Sequence, residues 1–177
     1  MERGHGDQLA TRRRKRIRRV HLDPADARPL PDALYAIASA DLITLGPGSL
    51  YTSLIPNMLV QEVIGAVRSS QAMKIYIQNI MSQPGETDGY STADHVQALA
   101  EHSDGILFPN VLLNSVPPSG DMLKVYEAEK AALVEIDRER LRGLHLNLVE
   151  RDLLAAGGKI RHDPDRLAHA VLNMASL

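Results

Sequence analysis

The sequence contains no cysteine, which excludes disulfide bonds, thiolate catalysis and cysteine-ligated zinc. This absence is compatible with a reducing cytoplasm. No apolar run approaches the roughly 20 residues that span a bilayer, and no apolar stretch follows the basic N-terminal segment. The sequence therefore predicts a soluble, cytoplasmic protein with neither a membrane span nor a signal peptide.

Several familiar functional motifs are also missing. The glycine-containing loop at residues 46–53 lacks the lysine of a Walker A loop and does not match the G-x-G-x-x-G dinucleotide fingerprint. There is no nucleophile elbow, although the residue inventory still allows a Ser/His/Asp triad, and the histidines lack the usual spacing of paired metal ligands.

The length of 177 residues is best explained by one domain. Charge is unevenly distributed along the chain. Seven of the 20 basic residues lie at positions 12–19, so the remainder is acidic. Such a cluster can bind nucleic acid or an anionic surface, but no aromatic residue for base stacking accompanies it. We favour solvent-exposed arginines around a surface strand at residues 17–22. The predicted organisation is a basic arm over residues 1–19 followed by an α/β region over residues 20–177.

Short apolar segments alternate with segments of helical periodicity. The predicted strands are 41–45, 74–80, 106–113, 133–136 and 144–149, and the predicted helices are 32–39, 57–69, 91–102, 119–130 and one that begins after Asp163. The last helix should bury a stripe formed by Leu167, Ala168, Val171 and Leu172. This alternation predicts an α/β fold with a mostly parallel sheet covered by helices on both faces.

The first candidate loop follows the strand at residues 41–45. Gly46 and Gly48 permit close approach of the backbone to a ligand, and three hydroxyls follow within one turn, those of Ser49, Thr52 and Ser53. Hydroxyls and backbone N–H groups suit phosphate oxygens. The alternative is a structural strand-to-helix turn, and Asn57 is either a helix cap or a ligand contact.

The second candidate loop follows the next strand and is rich in polar groups, namely Asn79, Gln83, Glu86, Thr87, Asp88 and Tyr90. Glu86 and Asp88 could hold a divalent cation or accept hydrogen bonds from sugar hydroxyls. The alternative is a solvated acidic turn with Asp88 and Gly89 at its tip. Because ligands bind beyond the carboxyl ends of parallel strands, both loops are predicted to form one site for a phosphate-containing small molecule.

The third candidate is the motif Arg161-His162-Asp163, just before the last helix. Arg161 presents a planar, permanently charged group that matches phosphate oxygens. From the residues alone, a helix cap at Asp163 with an ordinary surface arginine is the favoured alternative. His95, on the first turn of the helix at residues 91–102, is predicted to be structural.

Taken together, these motifs resemble the bacterial gluconeogenesis factor family (YvcK-like proteins), which is related to the phospholactate transferase of deazaflavin-coenzyme biosynthesis. The matching segments are residues 40–43, 46–53, 55–57, 83–90, 94–96 and 160–164. The resemblance implies a Rossmann-like sheet, a cytoplasmic location and binding of a nucleotide sugar such as UDP-N-acetylglucosamine. It also implies a role in growth and cell shape on gluconeogenic carbon sources, with regulation favoured over catalysis and a phospholactate-type transferase as the alternative.

By motif, the resemblance places the glycine and hydroxyl loop against phosphates and gives Arg161 a part in holding the nucleotide sugar. It implies no definite cofactor, and a divalent cation stays a hypothesis. The chain lacks the family's Gly-Gly-Gly-Thr-Gly turn, so we expect it to correspond to the C-terminal half of a typical member, without the N-terminal strands. A sheet shortened in this way would expose an edge and an apolar face, which favours a homo-oligomer.

Overall fold

A computed structural model of the chain describes residues 16–176. Four strands run at β1 (Leu42–Leu45), β2 (Met73–Ile77), β3 (Asn110–Asn114) and β4 (Asn147–Arg151). The helices are α1 (Pro31–Ser39), α2 (Ile55–Met58), α3 (Gln61–Ser69), α4 (Thr92–His102), α5 (Gly120–Ala128), α6 (Arg138–Gly143) and α7 (Pro164–Ala175). A π-helical turn, Leu50–Leu54, precedes α2 directly.

The four strands form one parallel sheet in the order β1-β2-β3-β4. The register pairs Leu42 with Met73 and Ile75 with Asn110. Because all strands point the same way, their carboxyl ends meet at one edge of the sheet, and the loops that follow β1 and β2 are neighbours there.

Both faces of the sheet are covered. Side chains alternate along a strand, so neighbouring residues of β2 belong to different cores. Tyr76 packs in the cluster that contains buried residues of α2, α3 and α4, whereas Ile75 and Ile77 pack with α7. The predicted α/β fold, with a parallel sheet between two helical layers, is confirmed.

Two helix starts illustrate how short polar signals set the boundaries. Ser91 accepts a hydrogen bond from the backbone N–H of Asp94, and the Asp94 carboxylate accepts one from the N–H of Ser91, which forms a complete capping box for α4. Asp163 accepts hydrogen bonds from the N–H groups of Asp165 and Arg166 at the start of α7. Both predicted starts are confirmed because the capping side chains satisfy backbone donors that the helix itself leaves unpaired.

Three predicted elements are wrong. The helix expected at 57–69 is divided, because Val60 has an extended backbone (φ −76°, ψ 111°) between α2 and α3. The segment 133–136 is not a strand of the sheet and makes only isolated bridges, one with Met81 and one with Ser91. The segment 17–22 is irregular, although it is anchored where the N–H of Val20 donates to His102 Nε2 at 3.2 Å.

The buried face of α7 also differs from the prediction. Ala170, Val171 and Met174 are buried against the sheet, whereas Leu172 is 61% exposed. Ala168 is exposed as well. The apolar residues of this helix surround much of its circumference, so periodicity alone did not identify the contacting face.

The N-terminal basic cluster falls mostly on residues 1–15, which lie outside the described residues. Arg16 is within the described part, and its guanidinium lies 4.6 Å from the centre of the Tyr90 ring and 3.3 Å from Asp94 Oδ2. Within residues 16–176, β1 is one edge of the sheet, and Leu30 and Tyr35, which precede it in the chain, are 76% and 75% exposed. No helix in this range is both long enough and apolar enough to cross a bilayer.

Candidate functional site

An open cleft of about 490 Å³ lies beyond the carboxyl ends of β1 and β2, beside the start of α7. Five of the twelve predicted site residues line it, namely Gly48, Ser49, Asn79, Gln83 and Arg161. They come from three separate segments of the chain, namely the loops after β1 and β2 and the segment before α7. The other seven, Gly46, Thr52, Ser53, Asn57, Glu86, Thr87 and Asp88, are not among the residues that line the cleft.

Gly46 does not line the cleft but shapes the loop that does. Its φ is +90°, and a Cβ atom there would lie 2.8 Å from the backbone oxygen of Ile77. Only glycine fits both the left-handed backbone and this close approach to β2. Gly46 therefore allows the first loop to cross the end of the neighbouring strand.

The Asn79 side chain fixes the first loop to the end of β2. The N–H of Gly48 donates to Asn79 Oδ1 at 3.1 Å, and Asn79 Nδ2 donates to the oxygen of Gly48 at 2.7 Å. Both polar ends of the amide are thus used by the backbone. Asn79 positions the loop, which is a different role from the ligand contact that the sequence predicted.

Ser49 connects the two candidate loops. Its hydroxyl donates to Glu86 Oε2 at 2.7 Å and accepts from the N–H of Thr52, so that Ser49 caps the π-helical turn. The Thr52 hydroxyl also reaches the Ser49 oxygen. Of the three predicted hydroxyls, only that of Ser49 belongs to a residue lining the cleft. Asn57 donates to the backbone oxygen of Ser53 at 2.6 Å, a local contact one turn away.

Two polar side chains of the second loop, those of Thr87 and Asp88, bond within its own turn. Thr87 is 1% exposed, and its hydroxyl accepts from the N–H of Gln83 at 2.8 Å. Asp88 Oδ2 accepts from the N–H of Gly85 at 2.7 Å. Within residues 16–176 no group of three or more histidines and carboxylates has an arrangement suited to a metal ion. Asp88 therefore behaves as the structural turn residue that was the alternative to cation binding.

Two side chains give the cleft its polar character. Arg161 is exposed, and its guanidinium forms no hydrogen bond with residues 16–176. Gln83 Oε1 is a buried oxygen that lacks a hydrogen-bond donor within the same range. Arg161 thus offers a permanent positive charge to a bound molecule, and Gln83 contributes a buried amide oxygen that still lacks a donor.

His162 lines the cleft and belongs to the third candidate motif, residues 161–163, although no role was predicted for it. Burial lowers the pKa of its imidazole, which favours the neutral ring, and Nε2 has no partner in the described part of the chain. The only sequence signal was its position between Arg161 and the Asp163 cap. A neutral histidine beside an arginine can exchange a hydrogen bond with a ligand without adding charge.

His95 lies in a buried cluster behind the second loop. Its Nδ1 is 2.8 Å from the oxygen of Ser91, which can only accept, so Nδ1 carries the proton. The ring packs edge-on against Tyr90, whose hydroxyl lies 2.8 Å from that of Tyr51. Burial lowers the pKa of His95 and raises that of Tyr51. These contacts agree with the prediction that His95 is structural.

A family model and individual relatives match this chain in sequence. The family model described as 2-phospho-L-lactate transferase CofD matches residues 2–154. A gluconeogenesis factor from Halalkalibacterium halodurans is 38% identical over 168 residues, which cover 94% of this chain and 52% of that protein. The gluconeogenesis factor of Bacillus subtilis (strain 168) is 39% identical over 161 residues, which cover 90% and 51%.

The fold is also found in a solved structure. A crystal structure of a UPF0052 family member from Bacillus halodurans superposes with a TM-score of 0.86 at 39% sequence identity, covering 90% of this chain and 52% of that one. The chain therefore spans about half the length of the curated relatives it matches.

Proposed function

The chain belongs to the 2-phospho-L-lactate transferase CofD family, and from this premise we propose that it is a gluconeogenesis factor that binds a nucleotide sugar of the UDP-N-acetylglucosamine type. Its similarity to proteins named gluconeogenesis factor supports this role. We propose that the protein acts in the cytoplasm as a regulator rather than as a catalyst. This regulation would permit growth and normal cell shape on gluconeogenic carbon sources. The proposal also includes self-association through the exposed edge at β1.

The observation that carries the proposal is the position of Arg161. Its exposed guanidinium lines the same cleft as Gly48 and Ser49. A diphosphate beside these residues would gain charge-assisted hydrogen bonds from the arginine, which presents paired donors in a fixed geometry. Gln83 Oε1 would remain available as an acceptor for a sugar hydroxyl.

Isothermal titration of UDP-N-acetylglucosamine into the full chain tests this proposal. We expect Arg161→Ala to weaken binding by roughly tenfold or more, since a hydrogen bond to a charged group contributes about 1.5–3 kcal/mol. Arg142→Ala is the matched control, because Arg142 is an exposed arginine at the end of α6 and does not line the cleft. Equal affinity of the Arg161→Ala variant and the control would remove Arg161 from the site.

A second candidate function is a phospholactate-type transferase. It is favoured by the match of the CofD model to residues 2–154 and by the contact of Glu86 with Ser49 at the rim of the first loop. The assay combines the full chain with a deazaflavin acceptor, a nucleotide-activated phospholactate and magnesium. Formation of the phosphodiester product would establish transfer, whereas saturable nucleotide-sugar binding without product would leave the regulator.

A further inference from the structure

A second cavity lies at the same end of the sheet as the cleft. It has a volume of about 130 Å³ and is formed by residues that follow β2 and β3 together with the segment 133–136. A single buried water requires only about 10–15 Å³ measured in this way, so the cavity can accept a group of several atoms. Asn79 and Ile80 line both spaces, so the cavity and the cleft are adjacent.

The walls of this cavity are largely apolar. The side chains that form them include Ile80, Leu113, Val116, Leu133, Val134 and Ile136. Leu113 and Val134 are buried, whereas Leu133 lies at the mouth and is 44% exposed. Apolar walls with a few fixed polar groups are typical of sites that take the ring system of a small molecule.

Gln78 provides an unpaired polar atom in these surroundings. The residue is 3% exposed, and its Oε1 has no hydrogen-bond partner within residues 16–176. Its Nε2 donates to the backbone oxygen of Asn79 at 3.2 Å. Because that oxygen can only accept, the orientation of the amide is fixed and Oε1 is the atom left for another donor.

The other two amide side chains that line this cavity, those of Asn79 and Asn114, have no oxygen that lacks a donor. Both polar ends of Asn79 are bound to Gly48. Asn114 accepts from the N–H of Leu153 at 3.1 Å and donates to the oxygen of Val116 at 2.6 Å. A buried acceptor without a donor is unfavourable. A ligand N–H that donated to Gln78 Oε1 would remove this cost.

We propose that this cavity receives the base of the nucleotide, with a ring N–H donating to Gln78 Oε1 and the ring faces packed on the apolar walls. The inference rests on the proposed function, since it assigns the phosphates to the cleft beside Gly48 and Arg161. The acceptor favours a base with a ring N–H, such as uracil, over cytosine, whose corresponding ring nitrogen is itself an acceptor. Gln78 would then select the base, while Arg161 binds the phosphates.

The first test uses the unaltered full chain and nucleosides, which carry no phosphate. Uridine should shift the methyl NMR signals of Val116, Leu133 and Ile136, and it should bind roughly tenfold more tightly than cytidine, as expected when a buried acceptor is paired in one complex only. Equal affinities for uridine and cytidine, or shifts confined to other methyl groups, would overturn the assignment of the cavity.

The second test compares Gln78→Met with the control Gln97→Met, in which an exposed glutamine of α4 is replaced. We expect Gln78→Met to weaken UDP-N-acetylglucosamine binding roughly tenfold and to leave the affinity for inorganic pyrophosphate unchanged. The control should change neither affinity. The unfolding temperature of Gln78→Met should change little, because the lost hydrogen bond from Nε2 to the Asn79 oxygen is offset by removal of a buried oxygen that has no donor.

The two proposals can fail separately. If UDP-N-acetylglucosamine binding depends on Arg161 but not on Gln78, the base cavity is wrong and the proposed function stands. If uridine binds in the cavity while the nucleotide sugar and pyrophosphate do not bind, the base cavity stands and the proposed phosphate site is wrong. If uridine and the nucleotide sugar both fail to bind, both proposals are wrong.

Discussion

The loops that follow β1 and β2 are similar in composition, since each combines glycine and proline with several polar side chains. Their hydrogen bonding differs. The second loop closes on itself through Thr87 and Asp88. The first loop is held from outside by Asn79 and presents Gly48 and Ser49 to the cleft.

This difference shows why the density of polar residues is a poor indicator of ligand contact. A turn has backbone N–H groups to satisfy, and short polar side chains satisfy them locally. The first loop receives part of these hydrogen bonds from Asn79, just beyond the end of β2, and its residues Gly48 and Ser49 line the cleft. Contact with a ligand therefore depends on where a loop finds its hydrogen-bond partners.

The largest expected effect concerns two positive-φ glycines, one from each loop. Gly46→Ala should lower the free energy of unfolding by about 3 kcal/mol, because a Cβ atom would lie 2.8 Å from the oxygen of Ile77 at a φ of +90°. Gly85→Ala is the matched control in the second loop, where φ is +85° and nothing lies within 4 Å of the new atom. There we expect about 1 kcal/mol. Denaturant unfolding of both variants measures the difference, and equal losses would contradict the close approach of the first loop to β2.

The next effect concerns the hydroxyls. Thr87→Val should lower the free energy of unfolding by about 1–3 kcal/mol, because the N–H of Gln83 would lose its buried acceptor. Thr52→Val, at an exposed position of the first loop, should cost less than about 0.5 kcal/mol. Thermal and denaturant unfolding would check both values. A larger loss for Thr52→Val would mean that the first loop, too, depends on its own side chains.

The smallest effect is a pH dependence. Burial lowers the pKa of His95 behind the second loop and of His162 in the cleft, so the unfolded chain binds protons more readily than the folded one. Stability should therefore be complete above pH ~6.5 and fall below it, by on the order of 1 kcal/mol per pH unit for each histidine at most. His95→Gln should reduce this slope in denaturant titrations between pH 5 and 7.5.

The control for this measurement is His169→Gln, which replaces an exposed histidine of α7. Its slope should match that of the unaltered chain. A His95→Gln variant with an unchanged slope would instead assign the pH dependence to groups other than the buried cluster around Tyr90.

Much of the fold could be predicted because its signals are local. The apolar segments of β1 to β4, the capping box at Ser91 and the cap at Asp163 each carry their own physical cause within a few residues. The helix α6 was missed because its six residues, RERLRG, include only one buried apolar side chain, Leu141, and so have no periodic pattern. The segment 133–136 has the composition of a strand, but it crosses the ends of the sheet instead of joining it.

The candidate site was less predictable, since its chemistry depends on contacts between distant segments. The convergence of strand ends in a parallel sheet brought the two loops together in the prediction, and only the family resemblance added Arg161 to them; the structure places Gly48, Ser49, Gln83 and Arg161 around one cleft. The sequence could not show that Asn79 is used by the backbone of Gly48, or that Gln78 and His162 have unpaired buried atoms. Whether a polar atom has a partner is a property of the packed structure.

The order of the strands has a consequence for synthesis. Each of β2, β3 and β4 pairs with the strand that precedes it, roughly 30–40 residues earlier in the chain. A ribosome that adds about 5–20 residues per second releases such a segment within seconds of its neighbour. Every strand after β1 thus meets a partner that has already been made, and the sheet can grow in the direction of translation.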